Sequence, residues 1–448
     1  MTARFDIPEL APRVVNDALR WGADEAEVYA VRTTETEAFL ERNDVKLGKS
    51  HAKAALGVRV FVNNGMGFAS VNDLGQQSVQ RAVENALAIA KNSPPDPHNG
   101  VAPEASIPLL QGLYDAQAEG FRPEDALARA VELLRAAREV DPRITVDSGS
   151  FTAMIEETGI ANSNVVEAVE QRSVFTWFVM GMAKTDGEVS SFDVQFGGTR
   201  RVREIDVRST AQEFARNVLA SLGARKAESF RGSLVLTPEA THDLLVEALV
   251  HSVNSNQVQK GASRFAKQLG QPVASELLTV VDDGTWVEGL AAASYDREGV
   301  PHQRLPLIER GILENFMYNV YTARKEGRRS TGHATGTARA SPIVGPSNFL
   351  MEPGNKTRDE LVREVSKGLL VTRFSGNVSA VSGDFSGVVK GGAYVERGEI
   401  QFPIKETLIA GNVYEALKGI SGVSKERKKL LQFVLPAVRL EDVSVTAG

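Results

Sequence analysis

Four stretches in the first half of the chain carry apolar residues at helical spacing. The first begins near Pro8, with Asp6 in position to cap it, and ends at Gly22. Its apolar positions recur every three to four residues, which is the period of an amphipathic helix. The same pattern predicts three further helices, from about Gln76 to Lys91, Pro123 to Glu139 and Ser209 to Leu222.

Segments in which polar and apolar residues alternate lie between these helices and predict strands. Tight turns are predicted near Asn43-Asp44 and Asn63-Asn64-Gly65. The strands form two groups that each end in a helix, which indicates an internal duplication at the level of the pattern. The first group comprises Glu27 to Arg32, Glu35 to Leu40, Val45 to Lys49, Ala54 to Val62 and Phe68 to Val71; the second comprises Ile144 to Glu157, Val165 to Gln171, Ser173 to Met182 and Ser190 to Gly197.

The second half of the chain has fewer helical patterns. It predicts helices from about Glu239 to Val253 and Thr357 to Lys367, and short strands in the glycine-rich stretch Thr372 to Leu417, whose end from Lys405 is compatible with a helix. A chain of 448 residues favours two domains. We therefore predict an α+β protein. Its N-terminal domain (1–230) contains duplicated antiparallel meander-plus-helix units, and its C-terminal domain (231–448) is β-rich, barrel-like or sandwich-like, with a few helices.

The glycine-rich stretch is also the candidate binding surface. Glycine inside a strand often marks a bulge or the close approach of another backbone, so a groove floored by backbone would suit an extended peptide. For Asp384 and Ser386 the alternative is turn chemistry, in which the side chains bond the local backbone. The predicted peptide contacts are Gly383, Asp384, Phe385, Ser386, Gly387, Gly391, Gly392 and Tyr394.

Composition and charge narrow the function classes. The formal net charge of −6 gives no basic surface for nucleic acid, and the absence of cysteine excludes disulfides and cysteine-ligated metal sites. The N-terminal sequence has acidic and proline residues where a signal peptide needs an apolar run, and no apolar run reaches the length of about 18 residues that a membrane span needs. We therefore expect a cytoplasmic protein without membrane association. The basic run Lys425 to Lys429 is interpreted as a solvated helix face rather than a partner-binding patch.

Two groups of residues are candidates for catalysis, and neither forms a convincing set. His242 and His251 are nine residues apart, which places their imidazoles on opposite faces of a regular helix. Glu247 shares a face with His251, but we interpret that face as the solvated side of an amphipathic helix. Thr331 and His333 lie close together in a polar loop that lacks the strand-to-helix nucleophile elbow. From the residues alone we predict no catalytic residue and no metal ligand in this chain.

Several spaced motifs together resemble the TldD/PmbA family, whose members are also described as modulators of DNA gyrase and are understood as peptide-processing proteins. Their order and spacing carry the resemblance, which covers nearly the whole chain. The motifs are Asn92 to Pro97, Ser294 to Pro301, Ile308 to Leu313, Ser330 to Gly332, Ser382 to Ser386, Ala393 to Ile400 and Ile409 to Asn412.

The resemblance implies a dimer in which a TldD subunit holds zinc through an HExxxH helix and a cysteine and degrades or trims unfolded peptides. The other branch, PmbA or TldE, lacks this metal set and supports its partner. The best register for HExxxH here runs from Val246 to His251, so Glu247 and His251 match while Val246 replaces the first histidine.

The chain thus resembles the metal-free branch. We expect a non-catalytic subunit with no cofactor of its own, the zinc belonging to a TldD-like partner, and unfolded peptides as substrates. The alternative is a homodimeric peptide-binding or structural protein without peptidase activity. A third hypothesis is a hydrolase that uses Glu247 and His251 of this chain.

Overall fold

The computed structural model describes residues 6–447, and its N-terminal region contains two groups of strands that are each flanked by helices. The first group comprises α1 (Ile7–Arg20), β1 (Glu25–Glu41), β2 (Asp44–Val62), β3 (Gly65–Val71) and α2 (Gln76–Asn92). The second comprises α3 (Pro123–Val140), β4 (Ile144–Asn162), β5 (Glu167–Thr185), β6 (Glu188–Val189), β7 (Asp193–Thr199) and α4 (Val207–Ala220), with 3₁₀ turns at Ala116–Gly120 and Val202–Glu204.

These strands form one antiparallel sheet in the order β3-β2-β1-β4-β5, with β6 and β7 both paired to β5. The two groups meet where β1 pairs with β4 along nearly the whole length of both strands. The helices pack against one face of the sheet, where alternate apolar residues of the strands are buried. Each group thus repeats the order of three main strands and a covering helix, which confirms the predicted duplication.

The hairpin turns of the first group lie where the asparagines predicted them. Arg42 and Asn43 have φ of 52° and 63°, and Asn63 and Asn64 have φ of 48° and 64°. Two consecutive positive φ values match the twist of antiparallel strands, and asparagine tolerates them well. The predicted break near Thr34 is wrong because β1 continues through this polar residue, which lies exposed in the strand.

The C-terminal region is β-rich with short helices, and no described helix has the length and apolar character to cross a membrane. Its helices are α5 (238–252), α6 (Ser255–Gln259), α7 (Val320–Lys325), α8 (Arg358–Arg363) and α9 (Val413–Lys418). Its strands are β8 (Phe230–Leu236), β9 (Val280–Asp283), β10 (Arg304–Glu309), β11 (Ile312–Leu313), β12 (Ala334–Thr335), β13 (Ile343–Val344), β14 (Phe349–Met351), β15 (Lys367–Val378), β16 (Asp384–Glu396), β17 (Glu399–Pro403), β18 (Thr407–Asn412), β19 (Ile420–Leu430) and β20 (Phe433–Ala447).

Five of these strands close a barrel. The ladder runs β8-β15-β16-β18-β20 and returns from β20 to β8, while β14, β9, β10 and β11 continue the sheet from β20. A large apolar cluster fills this region, with Leu234, Leu369, Ile409 and Leu435 fully buried. Closure leaves less free strand edge than an open sheet of the same strands would expose. The predicted α+β class with a barrel-like C-terminal region is therefore confirmed.

Three predicted helices in this half are corrected. The apolar stretch from Lys405 begins with the strand β18, and only Val413–Lys418 is helical. The helix predicted to reach Lys367 ends at Arg363, because Lys367 already starts β15. The basic run 425–429 is part of β19, which pairs with β20, and Lys428 binds the carboxylates of Glu213 and Glu239 at 2.7 and 2.6 Å.

Buried polar contacts join the N-terminal sheet to the C-terminal region. Arg200, at the end of β7, donates hydrogen bonds to the carbonyls of Gly289, Leu290 and Ala292 at 2.8 to 3.0 Å. Burial lowers the pKa of Arg200 to about 10, and the guanidinium remains charged at neutral pH. Its planar fork satisfies several carbonyls that would otherwise lie buried without donors.

A second contact between the two regions is a buried set of four charged side chains. Arg59 on β2 binds Glu27 at 2.6 Å and Glu298 at 2.8 Å, and Arg297 binds Glu27 at 3.2 Å. Each of the four is at most 6% exposed as a side chain. Because removing one partner would leave an uncompensated buried charge, these pairs hold the two regions in one relative position.

Candidate functional site

The helix α5 is the element on which the candidate residues meet. It consists of α-helical Pro238–Thr241, a π-helical turn His242–Val246 and α-helical Glu247–Ser252. A π turn inserts the equivalent of one extra residue and so shifts the phase of the helix by roughly 100°. His242 and His251 therefore line the same groove, and the prediction of opposite faces is wrong.

The groove beside α5 has a volume of about 670 Å³. It has an apolar part and a polar part, which suits a ligand that is itself mixed, such as a peptide. The apolar side chains come from α5 and from the barrel strands, and the polar ones come mostly from α5. The lining residues are His242, Asp243, Val246, Glu247, Val250, His251, Asn254, Gln257, Phe374, Ser375, Gly376 and Phe433.

Asp243 anchors the helix to the barrel rather than lying on a solvated face. Arg373 binds both of its oxygens, with Nε to Oδ2 at 2.7 Å and Nη2 to Oδ1 at 3.2 Å, and the Phe374 amide donates to Oδ2 at 3.2 Å. Burial alone would raise the pKa of Asp243, but hydrogen bonds from His242 and Arg373 outweigh it and lower this pKa. The polar face of α5 is therefore in part an ion-paired contact.

His251 is held by a backbone carbonyl. Its Nε2 lies 3.0 Å from the oxygen of Ala262, which can only accept a hydrogen bond, so Nε2 carries the proton in this contact. Only Nδ1 would then remain as a metal ligand. Within residues 6–447, three side chains able to share an ion meet on the hairpin β1–β2, at Glu35, Glu37 and His51, and none of these lies on α5.

The predicted peptide-contact residues lie on β16 and the turn before it. Along 384–388 the strand pairs with β15 on one side and β18 on the other, and along 393–396 it pairs with β15 and β17. Both edges of β16 are hydrogen bonded there, so these positions have no free backbone edge to which a peptide strand could be added. Of the predicted side chains, Asp384 accepts a hydrogen bond from the Asn412 side chain on β18 at 3.0 Å, so its carboxylate bonds across the sheet and not to the local backbone.

A free strand edge lies next to the groove instead. β15 pairs with β8 only at 368–371, because the chain leaves β8 to form α5. Among the described residues no strand covers that edge of β15 from Ser375 to Val378, and Ser375 and Gly376 are exposed and line the groove. Sequence reasoning missed this edge, although it lies in the same glycine-rich stretch, because the pairing partner of β15 is distant in the sequence.

The loop candidate His333 is buried in a structural network. Thr331 Oγ1 lies 2.9 Å from His333 Nδ1, and His333 Nε2 lies 3.2 Å from Asp282 Oδ1. Thr331 Oγ1 also accepts from the Tyr318 amide at 2.7 Å, so it is held by the backbone on that side. The contacts couple a short loop to β9 and provide no exposed nucleophile.

The comparisons with known proteins agree with this geometry. Three family models match in order: PmbA/TldA metallopeptidase domain 1 at 26–90, the PmbA/TldA metallopeptidase central domain at 118–222 and the PmbA/TldA metallopeptidase C-terminal domain at 230–447. The chain belongs to the PmbA/TldD family. The matched regions include the six main strands of the N-terminal sheet, the barrel and α5.

Relatives from both branches of the PmbA/TldD family resemble the chain over most of its length. Metalloprotease PmbA of Escherichia coli O157:H7 is 28% identical over 411 residues, which cover 90% of this chain and 88% of that protein. A metalloprotease TldD homolog of Haemophilus influenzae is 28% identical over 420 residues, covering 90% and 85%. The identity to these two proteins therefore does not separate the branches.

A solved structure of the family has the same fold. The crystal structure of TldE from Thermococcus kodakarensis superposes with a TM-score of 0.89, covers 97% of this chain and 99% of that chain, and is 22% identical in sequence. At this identity the likeness concerns the fold alone. The family is metalloprotease-like, and whether this chain is itself catalytic depends on the residues that it has at the candidate site.

Proposed function

We propose that this chain is a non-catalytic, PmbA/TldE-like subunit of a zinc metallopeptidase complex that degrades or trims unfolded peptides in the cytoplasm. A TldD-like partner subunit with an HExxxH helix would supply the zinc, the general base and the cleavage of the peptide bond. This chain would close the peptide chamber and hold the substrate.

The residues at the register of HExxxH carry the proposal. Val246 stands where the first histidine would be, is 3% exposed and offers no ligand atom. His251 is the one imidazole that matches, and its Nε2 already binds the Ala262 carbonyl. A catalytic zinc site uses three protein ligands, and the sequence has no cysteine to provide the third. These residues do not fit a catalytic zinc ion.

The groove and the free edge of β15 support a role in holding peptide. Strand addition uses backbone hydrogen bonds, so it can bind chains of many sequences. Phe374 and Phe433 beside this edge could accept apolar side chains of such a peptide. The sequence placed the peptide contact on β16 and the turn before it. The proposal here places it at Ser375–Val378 on the neighbouring strand β15.

The decisive experiment measures cleavage of an unstructured peptide by this chain, by a TldD-like partner and by both together. We expect cleavage by the mixture well above the rate of either protein alone, and loss of cleavage when the partner's HExxxH histidines are replaced. Purification from the native host should recover a stoichiometric partner with this motif. A homodimer with no such partner would instead support a binding or structural protein.

Metal analysis tests the remaining hypothesis, in which this chain is itself a hydrolase. We expect the isolated chain to hold far less than one zinc per molecule, with no difference between the native protein and His251→Ala. His98→Ala, which changes a histidine away from α5, is the matched control. Stoichiometric zinc that is lost only in His251→Ala would overturn the proposal.

A further inference from the structure

A second cavity lies between the N-terminal sheet and the loops of the C-terminal region, and its lining residues differ from those of the groove beside α5. Its volume is about 310 Å³, and it adjoins a cleft of about 410 Å³, with which it shares the lining residues Tyr29, Arg172 and Gly336. The sheet contributes polar residues from β1 and β5, and the loops contribute His302 and the backbone near Ala291. No role assigned above uses this cavity.

Two oppositely charged side chains on β5 point to a ligand. Glu170 is 8% exposed, and its Oε2 accepts both the amide and the hydroxyl of Ser294, while Oε1 has no hydrogen bond to the described residues. Arg172 directs Nε and Nη2 at Glu156, and its Nη1 has no protein acceptor among them. Both atoms face the cavity, where a polar atom without a protein partner binds water or a ligand.

One further group in the cavity lacks a hydrogen-bond partner within residues 6–447, the hydroxyl of Tyr29. His302 also lines the cavity, but its Nδ1 is buried against Gly284 and does not open to the cavity. Burial lowers the pKa of His302 to about 4, so this imidazole is neutral at neutral pH and adds no charge to the cavity. The cavity therefore offers a free carboxylate oxygen at Glu170, a free guanidinium nitrogen at Arg172 and the hydroxyl of Tyr29.

We propose that this cavity binds a small zwitterion of dipeptide length, with its ammonium group at Glu170 and its carboxylate at Arg172. Residues two apart on a strand are separated by about 6.8 Å. A dipeptide has its terminal charges at about this separation, because each extended residue spans about 3.5 Å. The apolar walls, which include Met154, Val174 and Leu290, leave room for small side chains. This proposal is independent of the partner subunit, because it concerns binding to this chain alone.

Isothermal titration of the full chain with L-alanyl-L-alanine tests the proposal. We expect one site per chain, and binding weakened roughly tenfold or more by N-acetylation or by C-amidation, since each cap removes a charge-assisted hydrogen bond. No binding up to about 10 mM, ten times a weak millimolar Kd, would overturn it. Equal binding of the free and both capped dipeptides would overturn it as well.

Single substitutions assign the two ends of the ligand. Glu170→Gln should abolish the preference for a free amino terminus and keep the preference for a free carboxylate, and Arg172→Gln should do the reverse. Glu167→Gln, an exposed glutamate on the same strand, is the matched control and should change neither preference. If both variants keep both preferences, the assignment of the ends is wrong. Should a variant fail to fold, the capped-ligand series on the native chain still decides.

Discussion

Asp193→Asn is expected to stabilise the protein, because burial of the ionised Asp193 carboxylate reduces the free energy of unfolding. The residue is 4% exposed at the start of β7. Its Oδ2 accepts from Gln195 at 2.9 Å and Asn217 at 3.0 Å, while Oδ1 is buried without a partner in the described chain. Burial is the largest cause of the rise in the pKa of Asp193 from its ordinary 3.8 to about 6.

The magnitude follows from this pKa. One pKa unit corresponds to about 1.36 kcal/mol, so the ionised carboxylate reduces the free energy of unfolding by about 3 kcal/mol above pH 6. Between about pH 4 and 6 the folded state binds more protons than the unfolded state, so this contribution makes stability fall as pH rises. Asparagine can keep both hydrogen bonds at the position of Oδ2 and removes the charge. The expected gain is about 3 kcal/mol at pH 8 and about 1.5 kcal/mol at pH 5.

Thermal melting of the native chain and the variant at these two pH values measures the difference. A gain of about 3 kcal/mol should raise the melting temperature of a chain of this length by roughly 3 °C at pH 8, and by about half as much at pH 5. Asp186→Asn, an exposed aspartate near β6, is the control and should change little at either pH. A variant that is less stable than the native chain at pH 8, or a gain that does not depend on pH, would refute the reasoning.

Two further substitutions test the contacts that position α5 and α2. Asp243→Asn should destabilise the fold by about 3 kcal/mol at neutral pH, because it leaves the buried charge of Arg373 unpaired. The pKa of Asp243 is lowered in the folded state, so its contribution to stability is present at neutral pH and is lost as pH falls below about 4. Melting of the native chain and the variant at neutral pH and below pH 4 should show this loss. Gly67→Ala should cost at least about 2 kcal/mol by melting, because its Cβ would lie 1.9 Å from the Ala86 carbonyl oxygen. Gly120→Ala, with no atom within 4 Å of the added carbon, is its control and should be near neutral.

Local patterns in the sequence were sufficient for the elements whose cause is local. The apolar stripe of α2 is buried as predicted, at Val79, Ala82, Val83, Ala86, Leu87 and Ala90. The asparagine turns are also local, because a positive φ depends on the residue that adopts it. Strand lengths were less predictable, since a polar residue such as Thr34 is tolerated wherever one face of the sheet is exposed.

The geometry of the candidate site was harder to predict, because it depends on contacts between residues that are far apart in the sequence. The sequence identified α5 and the absence of a complete ligand set on it, since Val246 and the missing cysteine are visible without a structure. It could not show the π turn, which brings His242 to the side of His251. Likewise, the ion pair of Asp243 with Arg373 joins residues 130 positions apart.

The sequence by itself determined the family, the α+β class, the duplicated meanders and the lack of a full zinc-binding set, because each depends on which residues are present and on their local order. The tertiary structure decided which strand edge is free. Both edges of β16 are hydrogen bonded, to β15, β17 and β18, whereas one edge of β15 is free beside α5. This could not be seen in the sequence because barrel closure pairs strands that are far apart in the chain. It also decided that Glu170 and Arg172 face a cavity, since the opposite wall of that cavity comes from loops more than 100 residues further along the chain.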